Sequence, residues 1–325
     1  MPHAIRIYEH GGPEVLRWEE VPTPVPGPGE ALVRHAAVGL NYIDVYFRTG
    51  LYKPPGLPFV LGMEGAGTVD AVGPSVTEVA PGDRVAYASA PIGAYAQLRC
   101  IKADRLVKLP DDISFETAGA MMLQGMTAEY LLRRTYPVQP GQTILVHAAA
   151  GGVGLIMCQW AKHLGATVIG TVGSDEKAEL ARAHGCDIPI VYTREDFVAR
   201  VKDITEGRML PVVYDSVGRD TFMKSMDCLA PRGMLVMFGN ASGAVPPFDI
   251  GLLAAKGSLY LTRPTLVTYT AKREDLLASA GALFELVRSG AIKIEVNQRY
   301  PLADAAEAHR ALEARRTTGS TILIP

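Results

Sequence analysis

The sequence predicts two architectures in one chain: an all-β, barrel-like part followed by an α/β part built on a doubly wound parallel sheet. Three observations predict it. The first 120 residues are dense in Gly and Pro and carry short strand-like runs separated by turn residues. From Thr143 the rhythm becomes strand, helix, strand, and it repeats through Thr262. The tail "STILIP" is apolar enough to be a strand that returns to the first part.

In the first part the strand candidates are "EALVRHAAVGL", "GAGTVDAVG", "DRVAYA" and "RLVKLP". "VPTPVPGPGE" lies between two such candidates and is too short to separate domains, so it reads as a rim turn. In the second part the order is "TILVHA", a helix over Gly152 to Leu164, "TVIGTV", "DEKAELARAHG", "IPIV", "EDFVARVKDITEG", "LPVVYDSVG", "RDTFMKSMDCLA", "GMLVMFG", a short helix and "GSLYLT". Six strands alternating with helices imply parallel pairing, because each crossover carries the chain back to the same end of the sheet. Gly165, Gly185 and Gly207 stand where helices stop. A long amphipathic stretch, "REDLLASAGALFELVRSG", precedes the tail.

Bulk properties narrow the function classes. The 325-residue chain is long for one core, and a chain near 300 residues buries roughly 75% of its unfolded surface, so burial is not limiting. A net charge of −2 with dispersed Lys and Arg leaves no footprint for nucleic acid or an anionic membrane. The apolar passage "HAAAGGVGLIMCQWAKHLGA" is interrupted by Gly151, Gly152 and Gly154 and ends in Lys162-His163, which argues against a membrane span. "MPHAIRIYEHGGPEV" has no apolar leader, and Cys100, Cys158, Cys186 and Cys228 are scattered without metal or disulfide spacing. The expectation is a reduced, cytoplasmic enzyme.

Ala149-x-Gly151-x-x-Gly154 is a dinucleotide fingerprint with Ala in first place. The middle glycine lets backbone approach a pyrophosphate, and the last lets the helix pack on its strand with its N–H groups toward the anion. At the adenosine end, an NAD site places a carboxylate at the close of the second strand. Here that strand closes on Val172-Gly173-Ser174, and Asp175 and Glu176 read as first-turn helix residues. Lys177 gains nothing from the dipole there; it is either a solvated lysine or a ligand for a 2′-phosphate.

"HGGPEVL", "NYIDVYFRTGLY", "GMEGAGTV", "GDRVAYA", "HAAAGGVG", "YDSVGRDT", "LTRP" and "GSTILIP" run nearly end to end. Together they resemble the zinc-independent quinone oxidoreductases, the zeta-crystallin group of the medium-chain dehydrogenases/reductases. The resemblance implies a GroES-like β-barrel domain over 1–124, completed by 266–325, and a Rossmann domain over 125–265 with NADPH in the cleft. Zinc-dependent relatives hold a catalytic metal at positions that are Asn41, Met63 and Gln124 here, so no metal is expected. The resemblance also carries over NADPH contacts: Asn41 and Tyr46 near the nicotinamide, Thr127, and Gly151, Gly152 and Val153 at the pyrophosphate. It adds Ser216, Phe238, Gly239, Asn240, Arg263 and Thr265, and it assigns the 2′-phosphate to Gly173, Ser174, Lys177, Tyr192 and Arg315.

The function expected is NADPH-dependent quinone reduction, with an enone, alkenal or enoyl-thioester double-bond reductase as the alternative. Tyr52 matches in place the tyrosine proposed as proton donor in related enoyl reductases, and it is otherwise a rim tyrosine. Asn41 and Tyr52 are the catalytic candidates. His147 reads as a hydrogen-bonded core histidine, Glu64 as a structural carboxylate and Asp215 as a turn former or cofactor contact. The resemblance suggests a homodimer.

Overall fold

Every strand pair from Thr143 to Thr262 is parallel, and the strands are apolar along nearly their whole length because helices cover both faces. The structure is a computed structural model that describes residues 1–54, 56–88 and 90–325. Its six-stranded sheet runs Ile188–Val191, Thr167–Val172, Thr143–Val146, Leu210–Asp215, Leu229–Met237, Tyr260–Thr262 from edge to edge. In chain order that is third, second, first, fourth, fifth, sixth, so the winding reverses between Thr143–Val146 and Leu210–Asp215. Ligands in sheets of this type bind at the carboxyl ends of the strands beside that reversal. Leu145, Ile169, Ile190, Val213, Leu235 and Phe222 build the core of this part. Gly165, Gly185 and Gly207 take φ of 82°, 87° and 77°, the left-handed conformation that stops a helix.

The β part holds two sheets. One has seven strands: Val296–Pro301, Ser320–Ile324, Glu30–Leu40, Glu64–Val72, Arg84–Ala88 and Val107–Lys108 in order, with Leu98–Lys102 also paired to Glu30–Leu40. The other has three: Arg17–Glu20, His3–Ile7 and Phe59–Val60. Ile5 and Ile7 from the small sheet share a core with Val33, Val38, Val69, Val85 and Leu323 from the large one. The expected return of the tail is present, since Thr321, Ile322 and Leu323 pair antiparallel with Leu40, Gly39 and Val38.

The chain divides into two compact units, 1–126 with 269–288 and 294–325, and 127–268 with 289–293. The boundary falls inside the helix Phe115–Tyr130. Among the described residues no helix is long and apolar enough to cross a membrane.

Candidate functional site

In the second unit the fingerprint turn follows Thr143–Val146. Ala148 takes φ of 53° with its methyl exposed, Gly151 N–H donates to Ala148 O at 3.0 Å, and the helix Gly152–His163 begins after Gly151. A left-handed alanine costs about 1 kcal/mol and is held only because its neighbours over-determine it. A Cβ on Gly154 would overlap Ala148 O and come within 2.8 Å of Ala149 backbone atoms, so only glycine packs there. The helix's first i→i−4 bond is Leu155 N–H to Gly151 O, 2.8 Å. The N–H groups of Gly152, Val153 and Gly154 precede it in the first turn, where helix N–H groups lack an i→i−4 partner. The second strand then exits through Gly173 into Ser174, whose Oγ caps the helix Asp175–Ala183 by accepting from Lys177 N–H at 3.3 Å. Tyr192, 41% exposed, follows the third strand, and its N–H donates to Val172 O at 3.1 Å.

The fourth and fifth strands bring Ser216 to Gly239, where a Cβ on the glycine would overlap Ser216 O. Phe238 N–H donates to Asp215 O at 2.9 Å and Ala241 N–H to Ser216 O at 3.1 Å, which locks the two strand ends together. Asn240 turns its amide oxygen to Arg263 Nη2, 3.2 Å, and its nitrogen to Gly239 O, 3.0 Å. Arg263 also donates to Met237 O at 3.2 Å, and Thr265 Oγ1 lies 3.0 Å from Thr268 Oγ1. Thr127 is buried on the helix Phe115–Tyr130.

Beneath these strand ends lies a closed polar network. Asp215 Oδ1 accepts from Val217 N–H and Gly218 N–H at 2.8 and 3.1 Å, and Oδ2 from the hydroxyls of Thr221 and Ser225, both 2.7 Å. With its proton given to Asp215, Ser225 accepts from His147 Nε2–H at 3.0 Å, and His147 Nδ1 accepts from Thr171 Oγ–H at 2.8 Å. Burial lowers the His147 pKa, which keeps the ring neutral for this relay. His147 is the core histidine the sequence suggests. Asp215 is fully buried with both oxygens committed to the protein, so it is the turn former and not the cofactor contact.

The first unit carries a second polar cluster. Asn41 precedes the helix Tyr42–Arg48, and its backbone N–H donates to Asp44 Oδ2 at 2.9 Å. Its side chain turns away: Nδ2 donates to Glu64 Oε2 at 2.7 Å, and Oδ1 accepts from Gln124 Nε2 at 3.2 Å. Gln124 Oε1 accepts in turn from Ser320 Oγ at 2.7 Å. Glu64 accepts at both oxygens, Oε2 from Asn41 and Oε1 from Leu123, so it faces the Asn41 amide nitrogen and sets the orientation of both amides in the chain. The bond from Leu123 N–H is 2.8 Å, and burial pushes the Glu64 pKa up to about 8. Burial likewise raises Asp44 to about 7. Tyr95 OH donates to Asp44 Oδ2 at 3.1 Å and accepts from His309 Nε2–H at 3.2 Å, while Arg48, 1% exposed, donates to His309 Nδ1 at 3.0 Å. Tyr46 and Tyr52 meet edge-on with centroids 5.2 Å apart, and Phe47 flanks Tyr52 at 5.9 Å. Arg315 also belongs to this unit and takes φ of 57° after the helix Ala305–Glu313.

Two amides and a thioether fill the positions where zinc-dependent relatives place Cys and His, and both amides are hydrogen-bonded within the protein. This donor set does not fit a zinc ion. Among the described residues no group of three or more His, Cys, Asp or Glu could hold a metal.

Residues 27–139 match the alcohol dehydrogenase GroES-like domain and residues 152–278 the zinc-binding dehydrogenase family model. A quinone oxidoreductase of Pseudomonas aeruginosa is 56% identical over 100% of both chains. The chain belongs to the quinone oxidoreductase family. Its fold is accordingly a GroES-like domain joined to a Rossmann-type parallel sheet. The structure of Escherichia coli quinone oxidoreductase complexed with NADPH superposes with a TM-score of 0.98 at 51% identity, covering 99% of this chain and 100% of that one. A 2-haloacrylate reductase of a Burkholderia species is 45% identical over 100% of this chain and 99% of its own length. Within this family member, sequence reading missed Asp44, Ala148 and Arg194. Asp44 and Ala148 lie inside quoted motifs and Arg194 lies outside them, but each acquires its role from a backbone angle or a contact that composition does not encode.

Proposed function

We propose that the chain is an NADPH-dependent quinone reductase that works without metal. The observation that carries this reading is the Glu64–Asn41–Gln124 chain, which puts hydrogen-bonded amides where a metal-dependent relative has ligands. An alcohol needs Lewis-acid help to lose its proton, whereas a quinone is already an electrophile. A bound nicotinamide supplies the reducing equivalents.

In this proposal the first unit, read from sequence as 1–124 with 266–325, is catalytic, and 125–265 holds the cofactor. The glycine clearances at the fingerprint fit a pyrophosphate on Gly151, Gly152 and Val153. Gly173, Ser174, Lys177, Tyr192 and Arg315 bind the 2′-phosphate, and Thr127, Ser216, Phe238, Gly239, Asn240, Arg263 and Thr265 bind the rest. Asn41 and Tyr46 orient the nicotinamide end. Glu64 accepts one Asn41 N–H and leaves the other to a ligand. Tyr52 donates a proton to the acceptor oxygen as charge develops there. The protein works in the cytoplasm as a homodimer, and its four free cysteines accord with a reducing compartment.

The 2-haloacrylate reductase relative keeps double-bond reduction as the second reading. Steady-state rates with NADPH and NADH against quinones, enones and enoyl thioesters separate the two. The proposal expects the highest kcat/KM for a quinone with NADPH; a higher value for an enone overturns it. Tyr52→Phe is expected to slow quinone turnover about tenfold or more with NADPH saturating, and an unchanged rate removes Tyr52 from the mechanism.

A further inference from the structure

The inference deepens the NADPH reading and rests on it. The second strand leaves the sheet through Gly173, and Asp175 and Glu176 open the helix that follows. A carboxylate at this point of a dinucleotide site accepts from a ribose 2′-hydroxyl and repels a 2′-phosphate. Two carboxylates within four residues of the strand end are therefore an obstacle to NADPH.

The third strand, Ile188–Val191, answers it with three consecutive residues that turn back on the same segment. Tyr192 N–H donates to Val172 O at 3.1 Å, and its hydroxyl stands 3.2 Å from where a Cβ on Gly173 would lie. Thr193 Oγ1 donates to Gly173 O at 3.4 Å. Arg194 Nη1 and Nη2 donate to the two oxygens of Asp175 at 2.7 and 2.5 Å. Both side chains of that pair are largely solvent-exposed, 57% and 66%, so it adds little to stability. Its consequence is local charge. Asp175 and Glu176 are balanced by Lys177 and Arg194; without Arg194 one negative charge is in excess beside the strand end.

We propose that Arg194 is a specificity-determining residue that admits the 2′-phosphate by pairing with Asp175. It acts through that carboxylate and need not touch the phosphate. The bidentate geometry suits a guanidinium and not a lysine, whose ammonium is a point charge.

Calorimetric titration of the full-length protein with 2′,5′-ADP and with 5′-ADP tests this without turnover. The wild type should bind 2′,5′-ADP more tightly. Arg194→Gln should weaken 2′,5′-ADP about five- to tenfold and leave 5′-ADP within about twofold. The double variant Asp175→Asn/Arg194→Gln should return 2′,5′-ADP to within about twofold of wild type, because the carboxylate that needed neutralising is gone. Equal weakening of both probes, or no recovery in the double variant, makes the pair a loop staple and overturns the proposal. A wild type that prefers 2′,5′-ADP while Arg194→Gln binds it unchanged overturns the proposal alone. A wild type with no preference between the probes overturns the NADPH reading and the proposal together.

Discussion

Glu64 in the first unit and Asp215 in the second are both fully buried carboxylates, but the protein uses them differently. Asp215 takes its four donors from residues 2 to 10 positions further along the chain, so it shapes the turn that carries Ser216. Glu64 takes Asn41 from 23 positions away and Leu123 from 59, and it terminates an amide chain that reaches Ser320. A saturated carboxylate holds shape. A carboxylate at the end of an amide chain sets polarity, and the group whose polarity it sets is the Asn41 side chain.

The largest expected effect tests the first half of that contrast. Asp215→Ala removes the buried acceptor of two backbone N–H groups and two hydroxyls and should lower stability by about 3–5 kcal/mol in chemical denaturation. A loss below about 1 kcal/mol would mean that water replaces the carboxylate and that the turn does not depend on it.

Glu64→Gln probes the second half. The amide chain can reverse, with Gln124 and Asn41 both flipped and Ser320 accepting, so the stability cost at neutral pH should be only about 1 kcal/mol. Asn41 would then present its oxygen outward in polarity, and quinone turnover should fall about tenfold or more. The pH dependence is sharper. Raised carboxylates bind their protons in the folded state, so Glu64 and Asp44 make stability fall as pH rises from their unfolded values toward about 8 and about 7. Burial lowers His35 to about 4 and His309 to about 3, which works in the opposite direction but ends at the unfolded histidine value near 6.5. Between pH 6.5 and 8 only the carboxylate effect remains. Wild-type stability should drop by about 1–2 kcal/mol across that window, and Glu64→Gln should flatten the slope. A wild-type profile that is level or rising there would show Glu64 ionised throughout.

The smallest effect concerns backbone rather than charge. Ala148→Gly relieves a left-handed alanine whose methyl is exposed and should raise stability by about 0.5 kcal/mol after the entropic cost of glycine. A loss instead would show that the turn needs the stiffness of alanine.

The alternation from Thr143 to Thr262 was legible because buried parallel strands and covering helices have different periods and lengths, and each carries its own local stop residues. The fingerprint glycines were legible because Gly154 answers a clash within its own turn. The strained residue of that turn was not: the fingerprint pattern points to Ala149 in first place, and the left-handed residue is Ala148. Asp175 read as a helix-opening carboxylate, which it is, but nothing nearby in sequence marks Arg194, 19 positions on, as its partner.

The sequence by itself determined the two architectures, the family and the residue types at the Asn41, Met63 and Gln124 positions, since these depend on periodicity, on ordered motifs and on the identity of single side chains. Only the tertiary structure decided how those side chains act. The direction of the Asn41 amide comes from a carboxylate 23 residues away and a glutamine 83 residues away. The protonation of Glu64 and Asp44 comes from complete burial. The charge beside Gly173 comes from the exit turn of a neighbouring strand. Each depends on distance and dielectric between groups far apart in the chain, and those quantities come into being when the chain folds.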